Sequence, residues 1–235
     1  MKNHFQFKQF SIYQDKTAMK VCTDACLFGA YISPPPTGFI LDIGTGTGVL
    51  SLMLAQRTAA QIEAIEIEQN AFEQAQQNVK NSIFENQINI FHQKLQDFIP
   101  TKKYDFIVTN PPFFSHNSTS PKKERNLAMH TDSLSFDDIL VFTKQYLEYN
   151  GIFWILLPEY ESNIFKEKAI QYNLSLKKQV NVYQTNDKPI FRTLLNFEKK
   201  EKMTEFTEEN FYIYNQKIEY SQEFIALLKD YYIIF

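Results

Sequence analysis

Residues 110–113 have the sequence Asn-Pro-Pro-Phe and directly follow an apolar run. An amine on a nucleobase, or an amide nitrogen, is a poor nucleophile because its lone pair is delocalised. The side-chain oxygen of Asn110 and the backbone carbonyl of Pro111 could accept its two N–H groups and free that lone pair, while the prolines remove competing donors. Phe113 offers a ring on which a flat substrate can stack. This segment therefore predicts a site that activates a planar –NH2 group.

Residues 40–48 predict a binding site for a nucleotide-like cofactor. A short apolar run is interrupted by Asp42, and Gly44, Gly46 and Gly48 follow at alternate positions before a helical pattern. Glycine tolerates positive φ and has no side chain, so a ligand can lie against backbone amides at the helix N-terminus. The pattern overlaps with the glycine fingerprint of nicotinamide and flavin enzymes, so the loop alone does not identify the cofactor.

Two carboxylates further along the chain suit the rest of such a cofactor. Glu66 ends the next predicted strand, 22 residues after Gly44, where it can accept both hydroxyls of a ribose. Asp97 follows the third predicted strand and could accept an adenine amino group, with Phe98 packed nearby. Each carboxylate also has a purely structural interpretation, as a strand-end group and as a turn or cap residue.

The periodicity of apolar residues places these segments in an α/β fold. Seven strands are predicted, and helical patterns lie between most of them: strands 40–43, 61–67, 88–92, 104–109, 151–157, 174–183 and 190–197. Strands alternating with helices imply a Rossmann-like, mostly parallel sheet covered on both faces, whose last pair is antiparallel. Ligands of such sheets lie beyond the carboxyl ends of the strands, where the segments described above fall.

We expect a single domain over residues 1–235, with an N-terminal extension (1–36), a core (37–200) and a C-terminal segment (201–235) packed on the core. Residues 5–13 alternate as a strand or hairpin would, and a helix is expected to begin near Thr23 or Asp24, either of which could cap it. Helices are also expected near 70–80, 136–149 and 160–172. The packing of residues 210–214 stays open.

Composition excludes several classes of protein. The 235 residues are 44% hydrophobic, which supplies a large core, and no apolar run approaches the 18 residues or so of a membrane span. The first residues lack the pattern of a secretory signal, so we expect a cytoplasmic protein, and we expect a monomer. The two cysteines, Cys22 and Cys26, are expected to be buried thiols, with no metal site.

The net charge of −3 argues against a uniformly basic nucleic-acid binder, but the charges are unevenly spread. Residues 164–200, called the basic stretch below, hold eight Lys or Arg against three Asp or Glu. Residues 201–235 hold three Lys against seven Asp or Glu. This distribution allows phosphate contact on one face, although charged runs are commonly no more than solvated surface.

The two motifs together resemble those of class I S-adenosylmethionine-dependent methyltransferases that modify exocyclic or amide nitrogens. The N-terminal segments 7–10 and 18–21, together with Thr23, Asp24 and Gly29, resemble more narrowly the bacterial tRNA adenine-N6 methyltransferases acting beside the anticodon of a valine tRNA. The resemblance covers nearly the whole chain. It implies methyl transfer from S-adenosylmethionine to N6 of an adenosine in the anticodon loop, at position 37 of that tRNA.

The resemblance also implies roles for individual residues. The cofactor's methionine part and ribose would be surrounded by Asp42, Gly44, Gly46 and Gly48. Glu66 would hold its ribose hydroxyls. Asp97, with Phe98, would hold its adenine. The methionine end would be held by Lys20, Thr23 and Asp24. The target adenine would be held by Asn110, Pro111 and Phe113, with Asn110 also beside the cofactor. One departure is His130, which stands where the family often carries an arginine.

Several alternatives remain open. Protein glutamine methylation would use the same Asn-Pro-Pro-aromatic motif on a side-chain amide, so the motif does not separate the two substrates; the N-terminal resemblance and the basic stretch favour RNA. DNA adenine methylation lacks sequence room for a target-recognition domain. A nicotinamide oxidoreductase is disfavoured by residues 110–113, and a non-catalytic RNA-binding module would leave Asn110 unexplained.

Overall fold

The computed structural model describes residues 4–17, 19–112, 134–200 and 205–235. Within these ranges the strands are β1 (His4–Gln6), β2 (Ser11–Tyr13), β3 (Phe39–Ile43), β4 (Gln61–Glu66), β5 (Ile88–His92), β6 (Tyr104–Thr109), β7 (Leu147–Leu157), β8 (Ser175–Tyr183), β9 (Ile190–Glu198) and β10 (Thr207–Tyr212). The helices are α1 (Thr23–Tyr31), α2 (Val49–Ala55), α3 (Gln69–Lys80), α4 (Phe136–Tyr146), α5 (Glu159–Ile170) and α6 (Gln222–Leu228).

Eight of the strands form one sheet, in the order β10-β8-β9-β7-β6-β3-β4-β5. The run from β7 to β5 is parallel throughout, and β9 is antiparallel to both β7 and β8. The helices between the parallel strands supply the crossovers that such pairs need. The predicted α/β class with an antiparallel closing hairpin is therefore confirmed.

The sheet has eight strands where the sequence predicts seven, because β10 adds to its edge. This strand pairs in parallel with β8, from Thr207 opposite Lys178 to Tyr212 opposite Tyr183. Its first four residues are exposed and polar, so no apolar alternation marks them as a strand. Backbone pairing and an ion pair of 3.0 Å between Lys178 and Glu209 hold the edge strand in place.

Helix α1 begins at Thr23 as predicted, but its capping residue and the end of α4 differ from the prediction. The cap position of α1 is Cys22, which makes no side-chain cap bond, so neither Thr23 nor Asp24 caps the helix. Asp24 lies inside the first turn, where its carboxylate accepts a hydrogen bond from the Arg192 guanidinium. Helix α4 ends at Tyr146 rather than near residue 149, because Leu147 is buried and already pairs with Tyr104 as the start of β7.

Successive residues of the central strands point to opposite faces of the sheet and enter two separate cores. Phe106 and Val108 of β6 belong to the core beneath α1, α2 and α3, whereas Ile107 lies in the core beneath α4 and α5. Both faces are thus apolar, which explains why these strands read as continuous hydrophobic runs. Because both faces are apolar, polar side chains can cluster only at the ends of these strands.

The predicted N-terminal hairpin is confirmed as β1 and β2, and one side chain of α3 fastens it to the glycine loop. The Nδ2 group of the fully buried Asn78 donates to the carbonyls of Tyr13 and Thr47, both at 2.8 Å. Its Oδ1 atom accepts the Tyr13 backbone N–H, also at 2.8 Å. All of the hydrogen-bonding positions of this amide except one acceptor are therefore used to join the extension to the core.

Cys22 and Cys26 are free thiols; Cys26 is fully buried as predicted, whereas Cys22 is only half-buried. Burial is the main cause that raises the pKa of each thiol to about 12, so neither is a nucleophile at neutral pH. Separately, none of the described helices combines the length and apolarity needed to cross a membrane.

Candidate active site

The residues predicted to bind ligands come together along one edge of the sheet. The neighbouring strands β6, β3, β4 and β5 are parallel, with Ile43 opposite both Thr109 and Ile65, and Glu66 opposite His92. Their carboxyl ends therefore lie side by side. Asn110 follows β6, the glycine loop follows β3, Glu66 ends β4, and the turn that holds Asp97 follows β5. This is the edge at which open α/β sheets bind ligands.

The glycine loop connects β3 to α2 through three left-handed residues. Gly44, Gly46 and Gly48 have φ of 71°, 58° and 81°. A Cβ atom added at Gly44 or Gly46 would meet nothing within 4 Å, so both face open space, whereas one at Gly48 would touch Ala75. The strand-to-helix turn therefore requires glycine for its backbone angles, and it leaves room beside the loop for a ligand.

Asp42 is buried at the base of this loop with one carboxylate oxygen unused. Its Oδ2 atom accepts hydrogen bonds of 2.7 Å from the hydroxyls of Thr45 and Ser51. Its Oδ1 atom has no partner among the described residues. Burial is the main cause that raises the pKa of this carboxyl to about 6, against the two hydroxyl bonds that lower it.

The raised pKa of Asp42 makes a prediction for stability. A folded-state pKa of about 6 against an ordinary 3.8 means that ionisation is penalised in the folded protein only. The wild type should therefore lose stability relative to Asp42→Asn as the pH rises from about 4 to about 6, by on the order of 3 kcal/mol, and no further above that. Urea unfolding of both proteins between pH 4 and 7.5 measures this; parallel stability curves would contradict it.

Glu66 ends β4 with a carboxylate that holds three backbone amides. Its Oε1 atom accepts the N–H groups of Ile67 and Glu68, both at 2.9 Å, and Oε2 accepts that of Gly46 at 2.8 Å. A carboxylate offers about four acceptor positions, so one remains, on Oε2. The sequence predicts that Glu66 accepts hydrogen bonds from both ribose hydroxyls. With three amides already bound, its carboxylate can accept from only one hydroxyl unless the Gly46 amide is released.

Asp97 and Phe98 occupy different environments after β5. Asp97 is exposed at the end of a short 3₁₀ turn, where its carboxylate is accessible. Phe98 is 7% exposed and packs between the rings of Phe91 and Phe142, with centroids 5.4 and 6.2 Å away. Asp97 can therefore contact a ligand at the carboxyl-terminal edge of the sheet, whereas Phe98 is part of the core below that edge.

Asn110 lines a cavity of about 470 Å³. Its Oδ1 atom is buried and has no hydrogen-bond partner among the described residues. Pro111 beside it is buried, and Phe113 lies outside the described residues, as does His130. A buried oxygen without a donor costs free energy, so this atom can accept an N–H group that no described residue supplies.

The same cavity is lined by the three N-terminal residues singled out from the sequence, Lys20, Thr23 and Asp24. Lys20 Nζ donates to the carbonyls of Gln14 and Thr17, which holds it at the end of the extension. The structure thus brings Lys20, Thr23 and Asp24 to the cavity that Asn110 lines, where Asp24 contacts Arg192 of β9.

The C-terminal strands add further residues to this cavity that were not among the candidates from the sequence. They include Gln184, Phe191, Arg192 and Tyr214. Arg192 Nε donates to Asp24 Oδ2 at 2.8 Å, and its guanidinium carbon lies 4.3 Å from the Phe191 ring centroid. The available signal was that Arg192 is the one arginine of the basic stretch. Arginine suits partly buried pairing because its planar group serves several acceptors.

The basic stretch is neutralised by neighbours to a large extent. Six of its eight cations form ion pairs with carboxylates, namely Lys168–Asp137, Lys177–Glu198, Lys178–Glu209, Lys188–Asp187, Arg192–Asp24 and Lys200–Glu198. Glu209 comes from the acidic C-terminal segment, which is folded against the stretch as β10. The charge excess read from the sequence is therefore partly offset by carboxylates outside the stretch, namely Asp24, Asp137 and Glu209.

Solved structures with the same arrangement are methyltransferases. A predicted O-methyltransferase from Agrobacterium tumefaciens has a TM-score of 0.69 at 14% identity, covering 88% of this chain and 96% of that one. A methyltransferase from Pyrococcus furiosus has a TM-score of 0.55 at 21% identity, covering 80% and 87%. At such identities the likeness concerns the fold alone, which is that of the Rossmann-like methyltransferases.

Sequence relatives narrow this class. The profile of the methyltransferase small domain family matches residues 25–184. Relatives named tRNA1(Val) (adenine(37)-N6)-methyltransferase include one from Dyadobacter fermentans, 43% identical over 99% of this chain and 98% of its own, and one from Parabacteroides distasonis, 39% identical over 98% of each. The chain belongs to the methyltransferase small domain family and, within it, to the family of these relatives.

Proposed function

We propose that the protein transfers a methyl group from S-adenosylmethionine to N6 of adenosine 37 in the anticodon loop of a valine tRNA. The observation that carries this proposal is the buried, unpartnered Oδ1 atom of Asn110 at the wall of a cavity. Relatives of the same length and domain content carry a name for this activity.

The described residues fit the cofactor. S-adenosylmethionine supplies an electrophilic methyl group on a sulfonium when it is bound. The open space beside Gly44 and Gly46 admits the ligand, and Asp42 Oδ1 is an acceptor that no described residue satisfies. Glu66 Oε2 retains one acceptor position for a ribose hydroxyl, and Asp97 is exposed for an adenine amino group.

Asn110 and Pro111 would activate the amine. With its two N–H groups bound to the Asn110 side-chain oxygen and the Pro111 carbonyl, the nitrogen becomes pyramidal and its lone pair turns toward the methyl carbon. Acceptor positions fixed before the reaction contribute more than ones that must reorganise during it. Asn110 does not take up a proton at neutral pH, so the proton released from the methylated nitrogen leaves to water.

An unpaired base of the anticodon loop also suits the geometry of the site. The target nitrogen must reach a cavity at the edge of the sheet, and a loop base leaves its stack at a lower free-energy cost than a base in a duplex. The glutamine alternative would present the same two N–H groups to Asn110, and the names of the relatives favour adenine over it.

A labelling experiment tests the proposed function. The purified protein is incubated with radiolabelled S-adenosylmethionine and either tRNA from a strain without this modification or purified peptide release factors. We expect label in tRNA, and nucleoside mass spectrometry should find N6-methyladenosine at position 37. Label confined to protein would refute the RNA substrate and establish the glutamine alternative.

A further inference from the structure

The cavity that holds Asn110 continues into a second depression on the same side of the molecule. This depression has a volume of about 500 Å³ and lies where β8 and β10 end. Tyr214 lines both the cavity and the depression, so the two share a wall. Its backbone N–H donates to the Gln184 carbonyl at 2.8 Å, which fixes the loop after β10 to the end of β8.

The depression presents aromatic and amide groups rather than positive charge. Its lining includes Asn186, Tyr212, Gln216 and Gln222 beside Tyr214, with Glu223 as the one carboxylate and no Lys or Arg among the residues that line it. Such a surface has no means of neutralising phosphate. It offers flat faces and paired donors and acceptors, which are the groups that contact unstacked bases.

The Tyr214 ring is already held in one orientation. It stacks on Tyr220 at a centroid distance of 5.2 Å and an interplanar angle of 20°, and Tyr220 stacks in turn on Phe224 at 4.8 Å and 12°. Phe224 is fully buried, so this row of rings is anchored in the core. A ring that is fixed before binding loses little side-chain freedom when a base packs against it.

We propose that the depression around Tyr214 binds the bases of the RNA strand next to the target adenosine. This inference rests on the proposed function, since the strand enters from the cavity at Asn110. The proposed base contacts lie at the depression and not on the basic stretch, six of whose eight cations pair with carboxylates.

The test compares variants on an RNA stem-loop with the anticodon sequence. Tyr214→Ala should raise KM about 10-fold, equal to about 1.4 kcal/mol, whereas Tyr214→Phe should stay close to wild type because its ring is kept. Gln216→Ala, an exposed change, should raise KM about 3-fold. The matched controls are Tyr149→Ala, an exposed tyrosine elsewhere, and Lys177→Gln in the basic stretch, both expected at wild-type KM.

Salt dependence separates base contacts from charge. Tyr214→Ala should weaken RNA binding, measured by fluorescence anisotropy, without changing the slope of log K against log salt, since no phosphate contact is lost. The proposal would be overturned if Tyr214→Ala and Gln216→Ala both kept the wild-type KM. It would also be overturned if Lys177→Gln changed the slope of log K against log salt. If the wild type methylates release factors and no RNA, the proposed function itself fails, which the labelling experiment shows independently of any variant.

Discussion

Asn110→Ala should lower kcat about 100- to 1,000-fold, the range seen when one preorganised transition-state hydrogen bond is removed. The substitution removes Oδ1, the buried acceptor that no described residue satisfies. The effect should fall on kcat, because the amine is polarised most strongly as its lone pair is used. Affinity for S-adenosylhomocysteine should change less than about 10-fold, since the loss concerns one hydrogen bond at most. Single-turnover kinetics with saturating tRNA and calorimetry measure the two quantities.

Two further variants make the Asn110 result specific. Asn110→Asp keeps an acceptor oxygen in place and should retain activity within about 10-fold of wild type, because the lost N–H donor is worth about one ordinary hydrogen bond. Asn89→Ala, on the exposed side of edge strand β5, is the matched control and should be indistinguishable from wild type. Near-normal turnover of Asn110→Ala would rule out polarisation of the amine by this side chain.

Glu66→Ala should weaken binding of S-adenosylhomocysteine about 10- to 100-fold and lower the free energy of unfolding by about 3 kcal/mol. Both effects have one origin, because the Glu66 carboxylate accepts from three backbone amides and also faces the ligand edge. Without it, the amides of Gly46, Ile67 and Glu68 lose their acceptor, and the glycine loop keeps only its backbone bonds to the Ile65 carbonyl among the described links to the end of β4. Calorimetry and urea unfolding measure the two effects.

Glu66→Gln distinguishes the two roles of Glu66. The glutamine keeps one oxygen for the amides but brings an –NH2 group toward another, so stability should be recovered only in part. Glu85→Ala, in the exposed connection after α3, is the matched control and should change neither quantity. A Glu66→Ala protein with unchanged ligand affinity would remove Glu66 from the cofactor site and leave it a purely structural carboxylate.

The sequence allowed the ligand edge to be predicted because its residues follow strands directly. Asp42, Glu66, Asp97 and Asn110 each lie at or just after the end of an apolar run, and the parallel order of those runs is enough to align them. The family resemblance drawn from the same motifs is confirmed by the relatives. The roles of the individual residues stay predictions, and Glu66 could make both expected ribose contacts only if the Gly46 amide were released.

The other half of the cavity could not be predicted in this way. Arg192 and Tyr214 belong to strands and loops distant in sequence from Asn110, and only the position of β8 to β10 in the sheet brings them near it. Nor does local sequence reveal that Asp24 is taken by Arg192 rather than used as a helix cap. The ion pairs of the basic stretch were hidden from the sequence for the same reason, since its partners include Asp24, Asp137 and Glu209, which lie outside the stretch.

The hydrogen bonds of Asn78 set a condition on any attempt to redesign this protein. Because one buried amide joins Tyr13 of the hairpin to Thr47 of the glycine loop, the N-terminal extension is not an interchangeable module. A chimera whose grafted segment does not keep the backbone position of Tyr13 would leave two of the three bonds unmade, next to the glycine loop. Retargeting the enzyme to a different RNA is therefore more practical from the Tyr214 side, where the surface can be changed without loosening the cofactor loop.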